Sequence, residues 1–430
     1  MAEKLSTEPY KGVRDFYPDD MAVQSHIFDT WSRTAESFGF ERYDASVLEP
    51  SELYKSKGAE NEEMVNEQTY TFVDRGDREV TLRPEMTPTV ARLIAGRHKE
   101  LAFPVRWYSI PNLFRYERTQ RGRVREHWQL NCDIFGSDDI AADVEIIALA
   151  YQTLIDFGAR PEMFEIRINH RKLMTEWFTK RFGITEPGTI TQITRILDRK
   201  QKITEAEFKG ELLPIFQDKY EQFRKELDLE VEDFVSLVNI ERQHSAVIQI
   251  KNGLEKIGIT NLRFDATLAR GFDYYTGTIF EIFDNDPKNN RSMLGGGRYD
   301  DLTSLFGDER IGGVGFGMGD VTMRDFLETH DLMPQRKAGA LVAVIPTEES
   351  LNIEAEKAAM RLRVAGVSVM VDISTRKLGK KLAAADHAGS GYVLVVGEDE
   401  VARGEYVLKN LADGTEQSGT LDELSERLSV

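Results

Sequence analysis

The residues best placed to do chemistry lie between Arg106 and Gly136, RWYSIPNLFRYERTQRGRVREHWQLNCDIFG. Apolar and polar residues alternate on both sides of Arg118–Arg125, the period-two pattern of half-buried strands. In the returning strand Leu130, Cys132 and Ile134 face a core, which puts Gln129, Asn131 and Asp133 on the opposite face. In the outgoing strand the same alternation pairs Arg115 with Glu117. A floor of Arg, Glu, Gln and Asp beneath a loop carrying Arg118, Arg121, Arg123 and Arg125 suits a ligand that is part polyphosphate and part small polar molecule. Guanidinium forks match phosphate oxygens in fixed geometry. The competing reading is a hairpin with a solvated charged face.

Three further stretches carry usable groups. In EVTLRPEMT the alternation sets Thr81, Arg83 and Glu85 on one face, with Glu85 and Thr87 at a strand-to-helix junction. A carboxylate and a hydroxyl there can hold an ammonium group, or Thr87 can simply cap the helix. Arg270 and Gly271 precede Asp273, Tyr274 and Tyr275, although DYYTG also suits an ordinary hairpin turn. In IGGVGFGMG, Gly313, Gly315, Gly317 and Gly319 recur every second residue, so one face of a strand has no side chains. Such a run marks close approach of a ligand or of another backbone. The readings are a floor for adenine or an amino acid, or close packing of strand on helix.

These groups need a scaffold, and 430 residues suggest about two or three domains. An Asp pair, Asp19 and Asp20, can cap a helix from Met21 to Phe38 with Ile27, Trp31, Ala35 and Phe38 on one face. FERYDASVLEP reads as a strand ended by Pro50, and residues 69–97 as strand, turn, strand and a helix starting near Pro88. A helix follows from Asp138 to Phe157, then a strand over 164–170. From Arg171 to Glu255 dense Lys, Arg and Glu at helical spacing, with sparse aromatics, indicate a helical insertion. Its charged faces are solvated or, on the second reading, touch nucleic acid. Sheet patterning resumes over 262–284, and MPQRKAGA at 333–340 has the content of a linker. Beyond it, strands and helices alternate from Leu341 to the terminal helix, as in a small α/β domain of mainly parallel strands.

No apolar run approaches the ~18 residues of a membrane span, and the N-terminus lacks the apolar core of a signal peptide, so the expected compartment is the cytoplasm. A single cysteine, Cys132, excludes an internal disulfide framework, and the seven histidines never join it at metal-ligand spacing. A net charge of -18 argues against nucleic-acid or anionic-membrane binding by the whole surface. Local basic faces remain, at the arginine loop and at Arg376, Lys377, Lys380 and Lys381.

KGVRDFYP, LRPEMTP, FRYER with HWQLNCDIFG, ARGFDYYTGTIFE, GGGRYD and the glycine strand together resemble the histidyl-tRNA synthetases, class II aminoacyl-tRNA synthetases, over essentially the full length. The Arg-Gly-x-Asp-Tyr-Tyr match is the most specific. The resemblance implies an α+β fold, an antiparallel class II sheet flanked by helices, with a helical insertion and a C-terminal α/β anticodon-binding domain. The implied boundaries are 1–170 and 256–332 for the catalytic domain, 171–255 for the insertion, 333–340 for the linker and 341–430 for the anticodon-binding domain. It implies ligation of L-histidine to histidine tRNA with ATP and Mg2+, in a cytoplasmic homodimer without a membrane anchor; the metal's protein ligands stay unassigned.

Carried over by motif, Glu85, Thr87 and Gln129 hold the histidine ammonium, and Asp133 and Tyr275, with Tyr274 beside them, serve the imidazole. Arg115 contacts the α-phosphate and carboxylate, Glu117 the adenine amine, Arg123 the outer phosphates, and His127 stacks on adenine. Arg270 sits across the α-phosphate from Arg115. Three departures stand out: Thr322 where the motif 3 arginine is expected, with Arg310 and Arg324 as nearby substitutes; His127 where Phe is usual; and Asp133 where Glu is usual. The missing arginine points to a rival class, a catalytically silent histidine-binding regulatory paralogue of histidine biosynthesis, against which stand Arg270, the complete motif 2 and the attached anticodon-like domain.

Overall fold

The computed structural model describes residues 5–55, 68–117, 122–200, 202–241, 244–269, 274–289, 291–334 and 340–428. Two compact units divide the chain, residues 1–334 and 335–430.

The first unit is built on a nine-stranded sheet in the order β1 (Glu41–Arg42), β5 (Val105–Ser109), β7 (Glu126–Phe135), β12 (Gly313–Gly319), β11 (Ser292–Arg298), β10 (Thr278–Asp284), β8 (Phe164–His170) and β9 (Leu262–Phe264). The ninth strand, β6 (Asn112–Phe114), pairs with β7 off this path. The inner pairings from β5 to β8 are antiparallel, and the edge pairs β1/β5 and β8/β9 are parallel. A small sheet of β2 (Leu48–Pro50), β4 (Glu79–Leu82) and β3 (Tyr70–Val73) stands apart. FERYDASVLEP is therefore two strands in two sheets rather than one. The break is pinned by Arg83, whose guanidinium donates to Ala45 O at 2.8 Å and to Asp44 Oδ1 at 3.2 Å.

One face of the large sheet is apolar because every second side chain points there. Leu130, Cys132, Ile134 and Phe316 are buried on it, against Ile27, Trp31 and Ala35 of α1 (Pro18–Ser37). Trp31 Nε1 also donates to Met318 Sδ at 3.0 Å. The helix begins at Pro18, whose fixed φ and missing N–H suit the first helical position. Asp19 and Asp20 consequently sit in its first turn, where the helix dipole favours carboxylates, and do not cap it. Helices α2 (Thr87–Arg97), α3 (Ile140–Asp156) and α4 (Asp320–Thr329) complete the frame, α3 capped by Asp139 accepting from Ala141 N.

The described residues of 171–256 are mainly helical, and their core is aromatic, contrary to the sparse-aromatics reading. Trp177 stacks on Phe223 with centroids 5.3 Å apart and also meets Phe178, Phe182 and Phe234. Its Nε1 donates to Glu226 Oε2 at 2.6 Å, and Arg181 pairs with the same carboxylate. These rings are spread over 58 residues of sequence, from Trp177 to Phe234, so composition by window does not reveal that they converge.

The second unit has a five-stranded sheet in the order β14 (Val369–Val371), β13 (Val342–Pro346), β15 (Tyr392–Val396), β16 (Tyr406–Asn410) and β17 (Glu416–Gly419). β14, β13 and β15 run parallel, while β16 and β17 add antiparallel pairings, so the sheet is mixed. Helices α5 (Asn352–Val364), α6 (Leu378–His387), α7 (Glu398–Arg403) and α8 (Leu421–Leu428) accompany it. β17 and α7 were not expected from sequence: each is short and polar, with no apolar stripe to announce it. Lys381, counted among the basic surface residues, is buried and donates to Pro346 O at 3.1 Å. Arg376, Lys377 and Lys380 are exposed.

In the first unit, Arg298 at the end of β11 is 7% exposed and bonds Asp143 of α3, Ser137 O and Asp139 O. Removing one partner of a buried pair leaves an uncompensated charge. We expect Asp143→Ala to lower the unfolding free energy by about 3–5 kcal/mol in urea titration; a loss below about 1 kcal/mol would show that Asp300, 3.5 Å from Arg298 Nη1, and the backbone acceptors suffice.

Candidate active site

The face of the sheet opposite α1 carries the polar constellation. Register sets Asp133 of β7 opposite Gly315 of β12, Asn131 opposite Gly317 and Gln129 opposite Gly319. Two of these glycines, Gly315 and Gly317, are required sterically. A Cβ at Gly315 would lie 2.1 Å from Asp133 Oδ1, and one at Gly317 would lie 2.7 Å from Gln129 Cδ. On β11, a Cβ at Gly297 would meet Tyr275 Cδ1 at 2.8 Å. The alternating glycines thus form a lane over which side chains of neighbouring elements lie flat. The strand-on-helix reading of this lane is excluded.

Two adjoining compartments result. The inner one is lined by Glu85, Thr87, Arg115, Gln129, Asn131, Asp133, Tyr274, Tyr275 and Tyr299 over Gly315 and Gly317. The outer one, a cleft of about 220 Å³, is lined by Arg115, Glu117, Arg123, Val124, His127, Gln129, Met293, Val321 and Thr322 over Gly317 and Gly319. Arg115, Gln129, Gly295 and Gly317 belong to both. Ten of the eleven residues named from the motifs are therefore gathered around one continuous space. Arg270 lies outside the described residues, as do Asp273, Arg118 and Arg121.

Local interactions fix the linings. Tyr274 Oη donates to Glu85 Oε2 at 3.2 Å, and Glu85 is buried at the mouth of α2. Thr87 is the first residue of α2 and not its cap: the cap position belongs to Met86, with no side-chain cap bond. Arg115 Nε donates to Pro84 O at 2.9 Å, which holds the guanidinium stem between the compartments. Arg123 Nη1 lies 3.1 Å from Glu117 Oε2, across the cleft mouth. Arg125 is different from its loop neighbours. Its side chain is buried, donates to Tyr10 Oη at 2.8 Å and lies 4.1 Å over the Tyr116 ring, away from the cleft lining.

Burial sets the protonation of two residues. Asp133 is pushed up to about 7 because its carboxylate is desolvated, an effect opposed by the hydrogen bond that Tyr299 Oη donates to Oδ1. His127 is pushed down to about 3, first by burial and then by the guanidinium groups of Arg115 and Arg14, so its ring is neutral near pH 7. A flat uncharged imidazole lining the cleft is compatible with stacking.

Tyr299 was missed by the sequence reading. Its place in GGGRYD, just past the end of β11, gives no alternation signal, yet its hydroxyl orients Asp133. Thr322 lines the cleft with Oγ1 turned to Met293 O at 3.0 Å and Gly319 O at 3.1 Å. Neither nearby arginine replaces a charge there: Arg310 pairs with Asp301 and Asp300, and Arg324 with Glu328 and Asp20, and neither lines the cleft.

Gly315→Ala is expected to displace the Asp133 carboxylate from Tyr299 and to destabilise the protein by about 1–3 kcal/mol through overpacking. A crystal structure of the variant with the Asp133–Tyr299 bond intact and an unchanged melting temperature would contradict this account of the lane.

A family model for histidyl-tRNA synthetase matches residues 12–320, and one for an anticodon binding domain matches residues 341–430. The chain is 39% identical to a histidine–tRNA ligase of Leptospira biflexa, over 99% of this chain and 98% of that one. It is 36% identical to the histidine–tRNA ligase of Thermoplasma volcanium, with 98% of each covered. Among solved structures, histidyl-tRNA synthetase from Nostoc sp. PCC 7120 superimposes with a TM-score of 0.82 at 25% identity, covering 99% of both chains. With the polar lane, the two compartments and the C-terminal mixed sheet in place, these matches make the chain a member of the histidyl-tRNA synthetase family.

Proposed function

We propose that this chain ligates L-histidine to its tRNA with ATP, through a histidyl-adenylate. The observation that carries the reading is the continuity of a desolvated polar pocket around Asp133 and Tyr275 with an arginine-lined cleft through the shared Arg115 and Gln129. In this reading Glu85, Thr87 and Gln129 hold the ammonium group, and Asp133 and Tyr275 take the two imidazole nitrogens, with Tyr274 fixing Glu85. A pocket that satisfies both nitrogens rejects amino acids that would leave its buried groups unpaired.

Arg115 bridges the histidine carboxylate and the α-phosphate, Arg123 meets the outer phosphates, Glu117 accepts from the adenine amine, and His127 covers its face. A carboxylate oxygen of histidine attacks the α-phosphorus; as that bond forms, the bond to the β-phosphate oxygen breaks and pyrophosphate leaves with the electron pair. Arg115 and Arg270 offset the charge that builds on the α-phosphate, so catalysis is positioning plus electrostatic stabilisation. A terminal ribose hydroxyl of tRNA then attacks the carbonyl carbon and AMP departs. Mg2+ would arrive on the ATP phosphates, keeping most of its waters and needing one or two carboxylates at most; among the described residues no group of three or more metal-ligating side chains gathers.

Residues 1–170 and 256–332 form the catalytic part in this proposal, 171–255 an insertion, 333–340 a linker and 341–430 the part that reads tRNA. The protein would act as a cytoplasmic homodimer; no helix among the described residues is long and apolar enough to cross a membrane.

Thr322, neutral where an arginine is expected, favours a second reading as a silent histidine-binding regulator. Histidine-dependent ATP–pyrophosphate exchange separates the two. We expect exchange with histidine and no other amino acid, reduced at least about 10²-fold in Arg270→Ala; histidine binding without exchange would establish the regulator. The pH dependence has a fixed sign. Burial raises Asp133 to about 7, so it gains a proton as pH falls through 7, while free histidine is protonated near about 6.5. Binding must then expel a proton, and KM for histidine should rise as pH is lowered from 8 to 6, with about a tenfold rise per unit as the upper limit once both groups are protonated. A KM that stays flat to pH 5 would remove Asp133 from the imidazole site.

A further inference from the structure

Residues Tyr10–Phe16, which precede α1, touch elements of both walls of the outer cleft. On the arginine-loop side, Gly12 O accepts from Arg125 N at 2.6 Å, and Arg125 Nη1 donates to Tyr10 Oη at 2.8 Å. The Arg125 guanidinium is 4.1 Å from the Tyr116 ring centre and 5.4 Å from that of Tyr10. Arg125 O in turn accepts from Arg115 N at 2.9 Å, so this contact leads directly to a cleft residue. On the glycine-strand side, Arg14 Nη2 lies 2.7 Å from Asp320 Oδ2, and the Asp320 side chain has no exposed surface. Asp320 also accepts from Gln24 Nε2 and from Trp128 N, each at 3.0 Å.

Asp320 opens α4 two residues before Thr322, and Trp128 stands between His127 and Gln129, so this one carboxylate joins the cleft-lining parts of α4 and β7. Phe16 closes the arrangement, edge-on to Trp128 at 5.5 Å and under Arg14 at 5.0 Å. A desolvated carboxylate needs a cation and hydrogen-bond donors around it. Here the cation comes from the N-terminal segment and not from either wall. Thr322 supplies no charge of its own, and Arg310 and Arg324 are engaged with other carboxylates.

We propose that Tyr10–Phe16 is a strap that sets the separation of the two walls of the ATP cleft, with Arg14 a positioning residue that acts through Asp320. The inference rests on the assignment of that cleft to ATP. A strap of this kind acts first on the ligand that spans both walls; its own residues do not line the inner pocket, to which it is joined through the Arg125 bond to the Arg115 backbone. Small misplacements of a reacting group cost as much as about 10²-fold in rate, so the effect is measurable.

The experiment compares wild type, Arg14→Ala, Arg14→Lys and Tyr10→Leu. Pyrophosphate exchange gives KM for ATP and for histidine, calorimetry gives ATP binding, and melting temperatures are recorded in parallel. We expect Arg14→Ala to raise KM for ATP about tenfold to a hundredfold while KM for histidine stays within about twofold, with Arg14→Lys between it and wild type. Tyr10 is 57% exposed, so its replacement leaves the core intact; it should give the same split at about threefold, and decides the matter if Arg14→Ala does not fold. An unchanged KM for ATP, or both constants rising together in step with a lower melting temperature, would overturn the strap. Wild type that binds ATP without exchange would instead overturn the proposed reaction, and the strap is then judged on ATP binding alone.

Discussion

Every specific feature of the site depends on a steric allowance: β12 has no side chain at alternate positions where β7 must lay polar groups across it. A β-strand normally fills each face, and glycine weakens it by removing packing and adding entropy to the unfolded chain. Here that cost is concentrated at Gly313, Gly315, Gly317 and Gly319, and the returns are geometric. Asp133 and Gln129 occupy the volume that ordinary Cβ atoms would take. Phe316 and Met318, between the glycines, point the other way into the core and keep the strand anchored. The weak face and the strong face belong to the same seven residues.

The second constraint is electrostatic. The lane is dry enough to raise Asp133 to about 7 and to hold His127 neutral, so the pocket separates a proton-sharing end from a cationic end. Arg115 marks the boundary, and its stem is fixed by a backbone carbonyl rather than by a carboxylate. Its charge therefore remains available to a ligand. Glu117 and Arg123, by contrast, are paired with each other in the cleft.

Much of this was legible in the sequence because period-two alternation identifies faces without knowing what they pack against. Gln129, Asn131 and Asp133 fell on one side and Leu130, Cys132 and Ile134 on the other, as the structure has them. What stayed hidden depended on contacts between distant segments. Arg125 reads as one more loop arginine until Tyr10 and Tyr116 are found around it. Lys381 reads as surface charge until its ammonium group is found on Pro346 O. Tyr299 lies outside any strand pattern, and the aromatic core around Trp177 is assembled from helices far apart in sequence. Short polar elements such as β17 carry too few apolar positions to signal themselves.

The central claim is that the lane builds a pocket in which both imidazole nitrogens are met by fixed, desolvated groups. Calorimetric titration with L-histidine and with its two ring-N-methyl derivatives tests it most directly. A methyl on either nitrogen removes a hydrogen bond and leaves a buried partner unsatisfied, so the account predicts that each derivative binds at least about 10²-fold more weakly than histidine. Binding of either derivative within about tenfold of histidine would contradict it, since one nitrogen would then face open space.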